Sequence, residues 1–112
     1  MKMLVAINEN NEMNSRLSEH FGHCPYFAIY DIENQTINIV KNEIDHSNEM
    51  LTPVDQVMKY NPEIVFTLGI GQKAINLFKE RNVILKTGNF QTLKEVIENI
   101  NSLNNISSGC EH

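Results

Sequence analysis

The run Met3-Leu4-Val5-Ala6-Ile7, almost at the start of the chain, indicates which kind of sheet to expect. All five residues are apolar, without the alternation of polar and apolar side chains that a half-buried strand shows. Such a run is typical of a strand buried on both faces of a parallel or mixed sheet. Residues 64–68 and 83–85 form two more runs of the same kind, and they predict two more interior strands.

Two strands of another kind lie between the first two of these runs. Tyr26-Phe27-Ala28-Ile29-Tyr30 combines aromatic and β-branched side chains, and Pro25 is tolerated at the entrance to such a strand. Residues 36–40 alternate apolar and polar side chains, which is the pattern of an edge strand. A turn at Glu33-Asn34 would join the two strands into an antiparallel hairpin.

Three helices are predicted from capping residues and apolar stripes. Thr52 and Pro53 suit the N-cap and the first position of a helix that runs to about residue 60. Apolar residues on one face predict a second helix over residues 72–81. Thr92 and Glu95 form a capping box before the clearest helical stripe, which extends to residue 103.

This order of elements predicts an α/β fold with a five-stranded mixed sheet of strand order 3-2-1-4-5. Both parallel crossovers should be right-handed, so that two helices share one face of the sheet and the third covers the other. We therefore expect a three-layer α/β/α sandwich, similar to a small ribonuclease H-like fold. Residues 1–103 would form a single domain, and residues 104–112 a flexible C-terminal tail.

Composition argues against several classes of protein. Nine basic and fourteen acidic residues give a net charge of −5, without the basic stripe expected of a nucleic-acid-binding protein. No apolar run approaches the roughly 20 residues that a membrane span needs. The first strand begins at once, without the features of a signal peptide, so we expect a cytoplasmic protein. Its two cysteines do not form a disulfide framework.

The predicted topology places two distant loops at one rim of the sheet. The first and fourth strands would be parallel neighbours from which the chain leaves in different directions, and ligands bind at such switch points. The loop with His20 would follow the first strand, and the turn Gly69-Ile70-Gly71 the fourth. We expect these two segments to face each other.

Ser18-Glu19-His20-Phe21-Gly22-His23-Cys24-Pro25 concentrates imidazole and thiol groups between two strands. These groups are ligands for iron, zinc, copper and iron–sulfur clusters, although their spacing matches no four-ligand structural zinc site. His20 is favoured because the residues after it restrict its backbone. The alternatives are a solvated His23 and a Cys24 packed at the mouth of the strand. Cys110 and His112 form a tail that either reaches a metal or frays, and we expect a solvated His46.

The glycine turn before the second helix has two readings. Free backbone N–H groups at a helix start attract anions, and Lys73 in the first turn adds a positive charge. The other reading is a tight connection from strand to helix. For catalysis, the chain lacks both the carboxylate set of a two-metal nuclease and the nucleophile elbow of a serine hydrolase. We therefore expect that the protein is not an enzyme.

The chain resembles the dinitrogenase iron–molybdenum cofactor biosynthesis family, whose domain is of the NifX/NafY type. The resemblance covers about residues 1–103 and depends on Ser18-x-His20-Phe21-Gly22, the strand after Pro25, Ile70-Gly71-x-x-Ala74 and the turn at Gly88. His23-Cys24 departs from the family pattern at its two positions. The resemblance implies a ribonuclease H-like fold and the carriage of iron–sulfur or molybdenum–iron–sulfur cluster precursors, with His20 as the cluster ligand.

From the residues and the resemblance together, we expect a cluster carrier in metallocluster assembly. The alternative is a regulatory or adaptor module that binds a protein or a small anion at the same site. The partners of a cluster carrier would be cluster donor and acceptor proteins, and we expect the protein to be a monomer or weak homodimer. The candidate cofactor-binding residues are His20, Phe21, Gly22, Gly69, Ile70, Gly71 and Lys73, and the candidate metal ligands are His20, His23, Cys24 and Cys110.

Overall fold

A mixed sheet of six strands with three α-helices forms the protein in the computed structural model, which describes residues 1–106. The strands are β1 (Lys2–Ile7), β2 (Tyr26–Asp31), β3 (Thr36–Lys41), β4 (Ile64–Phe66), β5 (Ile84–Thr87) and β6 (Asn104–Asn105). The helices are α1 (Pro53–Val57), α2 (Gln72–Glu80) and α3 (Leu93–Glu98). Among these residues, no helix is long and apolar enough to cross a membrane.

The strand order is β3-β2-β1-β4-β5-β6. β1 is antiparallel to β2 and parallel to β4, so the predicted order of the first five strands and the mixed sheet are confirmed. The predicted number of strands is wrong, because Asn104 and Asn105 pair with Thr87 and Lys86 as a sixth strand. Two consecutive asparagines carry no apolar pattern, and besides the backbone pairing the Lys86 ammonium group donates to the side-chain oxygen of Asn105 over 2.6 Å.

β1 lies in the middle of the core. Met3, Leu4, Val5, Ala6 and Ile7 are each at most 1% exposed, as the unbroken apolar run predicts. Alternate residues of a strand point to opposite faces, and β1 divides in this way between two core clusters. The cluster with Leu4 and Ala6 includes buried residues of α1 and α2, whereas the other includes those of α3. The three-layer and ribonuclease H-like descriptions stay predictions.

The helices begin where the sequence predicts, but α1 and α3 end several residues earlier than predicted, and α2 ends one residue earlier. Thr52 and Asp55 form a reciprocal capping box at α1, but after Val57 the chain tightens into a 3₁₀ turn. α3 begins after Thr92, whose side chain accepts a hydrogen bond from the Glu95 amide. The apolar stripe continues to residue 103, yet α3 ends at Glu98, and after the C-cap Asn99 the chain tightens into a 3₁₀ turn.

Candidate functional site

The loop after β1 and the turn after β4 are joined by a backbone hydrogen bond. The amide of Phe21 donates to the carbonyl oxygen of Gly69 over 3.0 Å. At the base of the loop, Ser18 donates to Ala6 over 2.9 Å, and the Ser18 hydroxyl accepts from the His20 amide. The predicted meeting of the two segments at this rim is therefore confirmed.

Phe21 and Gly22 fix the path of the loop. The half-buried ring of Phe21 packs against the rings of Phe27 and Phe78, at centroid distances of 5.7 and 5.3 Å. Gly22 is buried with a φ of +94°, a conformation that costs little only for glycine. The anchored phenylalanine and this turn leave the side chains on either side, His20 and His23, exposed to solvent.

An open cleft of about 560 Å³ separates the two segments. His20 and His23 line one side of it, and Gly69, Ile70 and Gly71 line the other. Gly71 is the N-cap of α2, and as a glycine it makes no side-chain capping hydrogen bond. A helix N-terminus carries a partial positive charge, so this end of the cleft favours a negatively charged ligand.

His46 is a site residue that the sequence analysis missed. Although exposed, its ring is not merely solvated: it stacks on the ring of His23, with centroids 4.2 Å apart and planes 5° apart. Its Nε2 atom lies 2.9 Å from the carbonyl oxygen of Gly22. No spacing signal could have predicted this contact, because His46 belongs to a polar connection without periodicity.

The side chain of Asn42 joins the connection that carries His46 to the loop after β1 by hydrogen bonds. Its side-chain amide donates to the carbonyl oxygens of Gly22 and Cys24, over 2.9 and 2.7 Å. Its own oxygen accepts from the Ile44 amide over 2.9 Å. Asn42 therefore connects the histidine loop to the segment that carries His46, a role with no sequence signature.

Cys24 lies in the core and not on the wall of the cleft. It is 3% exposed, and burial raises the pKa of its thiol to about 11, although hydrogen bonds from the surrounding backbone offset part of this effect. The thiol is therefore protonated near neutral pH, and a thiolate ligand here would require the loop to open. This is the packed alternative that the sequence left open.

The other predicted metal ligands are Cys110, which belongs to the tail, and the two histidines His20 and His23. Cys110 and His112 lie outside the described residues. Within residues 1–106, no three or more His, Cys, Asp or Glu side chains are grouped closely enough to hold a metal ion. His20 and His23 share the cleft, so a metal ion or cluster bound there would be coordinated by few protein side chains.

Known proteins resemble this chain over most of its length. The uncharacterized protein MJ0580 of Methanocaldococcus jannaschii is 29% identical over 103 residues, which cover 88% of this chain and 83% of that protein. The apo form of the orange protein from Desulfovibrio gigas has a TM-score of 0.84 at 11% identity, covering 98% of this chain and 96% of the other. A candidate NifB protein from Thermotoga, TM1290, has a TM-score of 0.81 at 21% identity, covering 99% and 98%.

The two structural likenesses concern the fold, because their sequence identity is low. The family comparison reaches further, since residues 1–103 match the family described as "Dinitrogenase iron-molybdenum cofactor". This match confirms the resemblance found from the His-Phe-Gly and Ile-Gly-x-x-Ala segments. The chain therefore belongs to the dinitrogenase iron–molybdenum cofactor family.

Proposed function

We propose that the protein binds and carries an iron–sulfur or molybdenum–iron–sulfur cluster as cargo, in the cleft between His20 and Gly71. The observation that carries this proposal is the hydrogen bond from the Phe21 amide to the Gly69 carbonyl. It holds an exposed imidazole opposite the start of a helix. Family membership supports a role in cofactor assembly.

The chemistry of the cleft suits an anionic metal cluster. The His20 imidazole supplies a ligand for a metal atom of the cargo, as imidazole does for iron in proteins. The uncapped start of α2 and the ammonium group of Lys73, in its first turn, offset the negative charge of the cargo. Glu19 also lines the cleft and opposes an anion, which weakens binding and favours release.

We assign different roles to the candidate site residues. His20 is the cluster ligand, with His23 beside it at the mouth of the cleft. Phe21 and Gly22 shape the loop, and Cys24 supports it from the core. The opposite wall consists of Gly69, Ile70 and Gly71, with Lys73 behind it.

A carrier also needs access for other proteins. The cleft is open, and few protein groups hold the cargo, so a donor protein can deliver a cluster and an acceptor protein can remove it. We propose no catalytic step, because the function depends on binding and release. A structural cofactor would instead require a closed set of ligands.

Anaerobic reconstitution with iron and sulfide tests the proposal. The wild-type chain should acquire visible absorption with bound iron and acid-labile sulfide, and His20→Ala should lose most of both. Lys73→Met should weaken loading, whereas Lys59→Met, a change of another exposed lysine, should not. Undiminished cluster content in both His20→Ala and Lys73→Met would refute the site.

The uncapped start of α2 also supports a second candidate function, an adaptor that responds to a small anion. In that case the protein would take up no iron or sulfide. Phosphate or sulfate would raise its melting temperature in a concentration-dependent way, because a ligand that binds only the folded state stabilises it. Lys73→Met would reduce that rise.

A further inference from the structure

Two histidines from separate segments are in ring contact at the surface. His23 belongs to the loop after β1, and His46 to the connection between β3 and α1. Their rings lie 4.2 Å apart and almost parallel, and both side chains are exposed. The fold thus brings together two imidazoles that the sequence keeps far apart.

The hydrogen bond of His46 determines which of its nitrogen atoms is free. A backbone carbonyl can only accept, so Nε2, 2.9 Å from the Gly22 oxygen, must carry the proton. In the neutral ring, Nδ1 then keeps its lone pair. Metal-binding histidines show the same arrangement, in which one ring nitrogen donates to a carbonyl and the other binds the ion.

The surroundings of the pair restrict the class of ligand. A pocket of about 310 Å³ opens beside the two rings, and water can enter it. Besides the two histidines, its lining is apolar apart from Lys73, with no carboxylate or thiol among the described residues. Imidazole without carboxylate favours zinc, nickel or copper over magnesium or calcium.

We propose that His23 and His46 form a two-imidazole site for a divalent transition-metal ion, with water completing its coordination. This site shares His23 with the cluster cleft, but its second imidazole is His46 and not His20, and the proposal does not depend on cluster carriage. Parallel rings cannot both direct a lone pair at one ion. Binding therefore opens the stack while the hydrogen bond to Gly22 keeps His46 in place.

Lys73 distinguishes this site from the anion site. Lys73 lines the same pocket, and its positive charge repels a bare cation, so Lys73→Met should tighten binding of Ni²⁺. The same substitution should weaken an anionic cluster. The two proposals therefore predict changes of opposite sign, and each can fail without the other.

Calorimetric titration with Ni²⁺ tests the metal site, using the untagged full chain with Cys110→Ser and His112→Ala to remove the ligands of the tail. We expect one site per chain. His23→Gln and His46→Gln should each weaken Ni²⁺ binding by at least about tenfold. His20→Gln is the matched control, and its affinity should be unchanged.

A second measurement on the unsubstituted histidines avoids any effect of mutation on folding. When Zn²⁺ is added, the imidazole NMR signals of His23 and His46 should shift together, while those of His20 stay in place. The proposal is overturned if the two glutamine variants keep full affinity, if His20→Gln weakens binding equally, or if the two rings do not shift together.

Discussion

The backbone amide of Phe21 donates to the carbonyl oxygen of Gly69 over 3.0 Å, and this bond sets the distance between the two walls of the cleft. It also separates the physical roles of three consecutive residues. His20 is exposed, Phe21 is anchored by two aromatic rings, and Gly22 turns the chain with a positive φ. The chemistry of the site belongs to the histidine, and its position depends on the other two.

Phe21→Leu should loosen the loop without unfolding the protein. It removes the ring contacts with Phe27 and Phe78, and for a half-buried ring we expect a loss of about 1–2 kcal/mol in the free energy of unfolding. Urea denaturation measures the loss. Cluster loading should fall as well, because the wall that carries His20 is no longer fixed.

Phe90→Leu is the matched control for this prediction. Phe90 is also half-buried, and its ring packs against Phe66 in the other core cluster. A similar loss of stability with normal cluster loading is expected. If both variants load equally well, the anchoring role of Phe21 is wrong.

Gly22→Ala should destabilise the protein through its backbone. The added methyl group would have ordinary space, with the Cε1 atom of His46 at 3.6 Å, so crowding is not the reason. The φ of +94° is the reason, and we expect a loss of about 1–2 kcal/mol. At Gly71, φ is −77° and an added Cβ would meet nothing within 4 Å, so alanine loses only the advantage of glycine as an N-cap, and the free energy of unfolding should fall by less than about 1 kcal/mol. Equal effects at the two positions would contradict this account.

The order of the first five strands and all three helix starts could be predicted, because each leaves a local signal. Unbroken apolar runs indicate interior strands, and Thr52 and Thr92 indicate helix caps. The meeting of His20 with the Gly69 turn followed from topology alone. β6 could not be predicted, since Asn104 and Asn105 have no apolar pattern.

The positions of Asn42, His46 and Cys24 in the candidate site could not be predicted from the sequence, for a different reason. Asn42 and His46 hold the loop by donating hydrogen bonds to backbone carbonyls of distant residues. Such bonds depend on where a carbonyl points, and neither composition nor spacing records that. For Cys24, the sequence allowed both a ligand and a packed thiol, and only its burial distinguishes them.

Gly71→Ser should stabilise α2 and impair anion binding together. Gly71 has the extended φ and ψ of an N-cap, and a serine hydroxyl would accept a hydrogen bond from a backbone N–H group in the first turn of the helix. We expect an increase of about 0.2–0.5 kcal/mol in the free energy of unfolding, measured by urea denaturation. Cluster loading should decrease, since that N–H group then has a partner.

Gly71→Asp sharpens this test, because it caps the helix equally well and adds a negative charge at the cleft. Its stability should match or exceed that of the serine variant, and its cluster loading should be lower still. Unchanged loading in both variants would show that the start of α2 takes no part in binding.

Asn42→Asp should separate the loop from the connection that carries His46. The carboxylate keeps the shape of the side chain but loses the N–H donors to the Gly22 and Cys24 carbonyls. We expect a loss of about 1–3 kcal/mol in the free energy of unfolding and a weaker His23–His46 stack, seen in the imidazole NMR signals. Asn38→Asp, at an exposed position of β3, should have little effect on either. Similar losses in the two variants would argue against a specific role for Asn42.

The buried thiol of Cys24 should make stability depend on pH in the alkaline range. Its pKa is raised from 9.0 to about 11 by burial, so the folded protein holds this proton to a higher pH than the unfolded chain does. Below about pH 9 both states are protonated and the full contribution is present. Between about pH 9 and 11 only the unfolded chain releases the proton, so stability falls, by at most about 1.4 kcal/mol per pH unit from this group.

Lysine and tyrosine residues titrate in the same range, so the test is a difference between two variants. Urea denaturation of the Cys110→Ser chain, with and without Cys24→Ala, should give curves of stability against pH that are parallel below pH 9 and converge above it. Cys24→Ala loses the packing of the buried side chain at every pH, which separates the two curves by a constant amount. It also removes the dependence of stability on pH that comes from the thiol, and this changes the separation only in the range where the thiol titrates. Curves that stay parallel up to pH 11 would mean that the Cys24 thiol ionises as easily in the folded chain as in water, and the reason for excluding it as a thiol ligand would be lost.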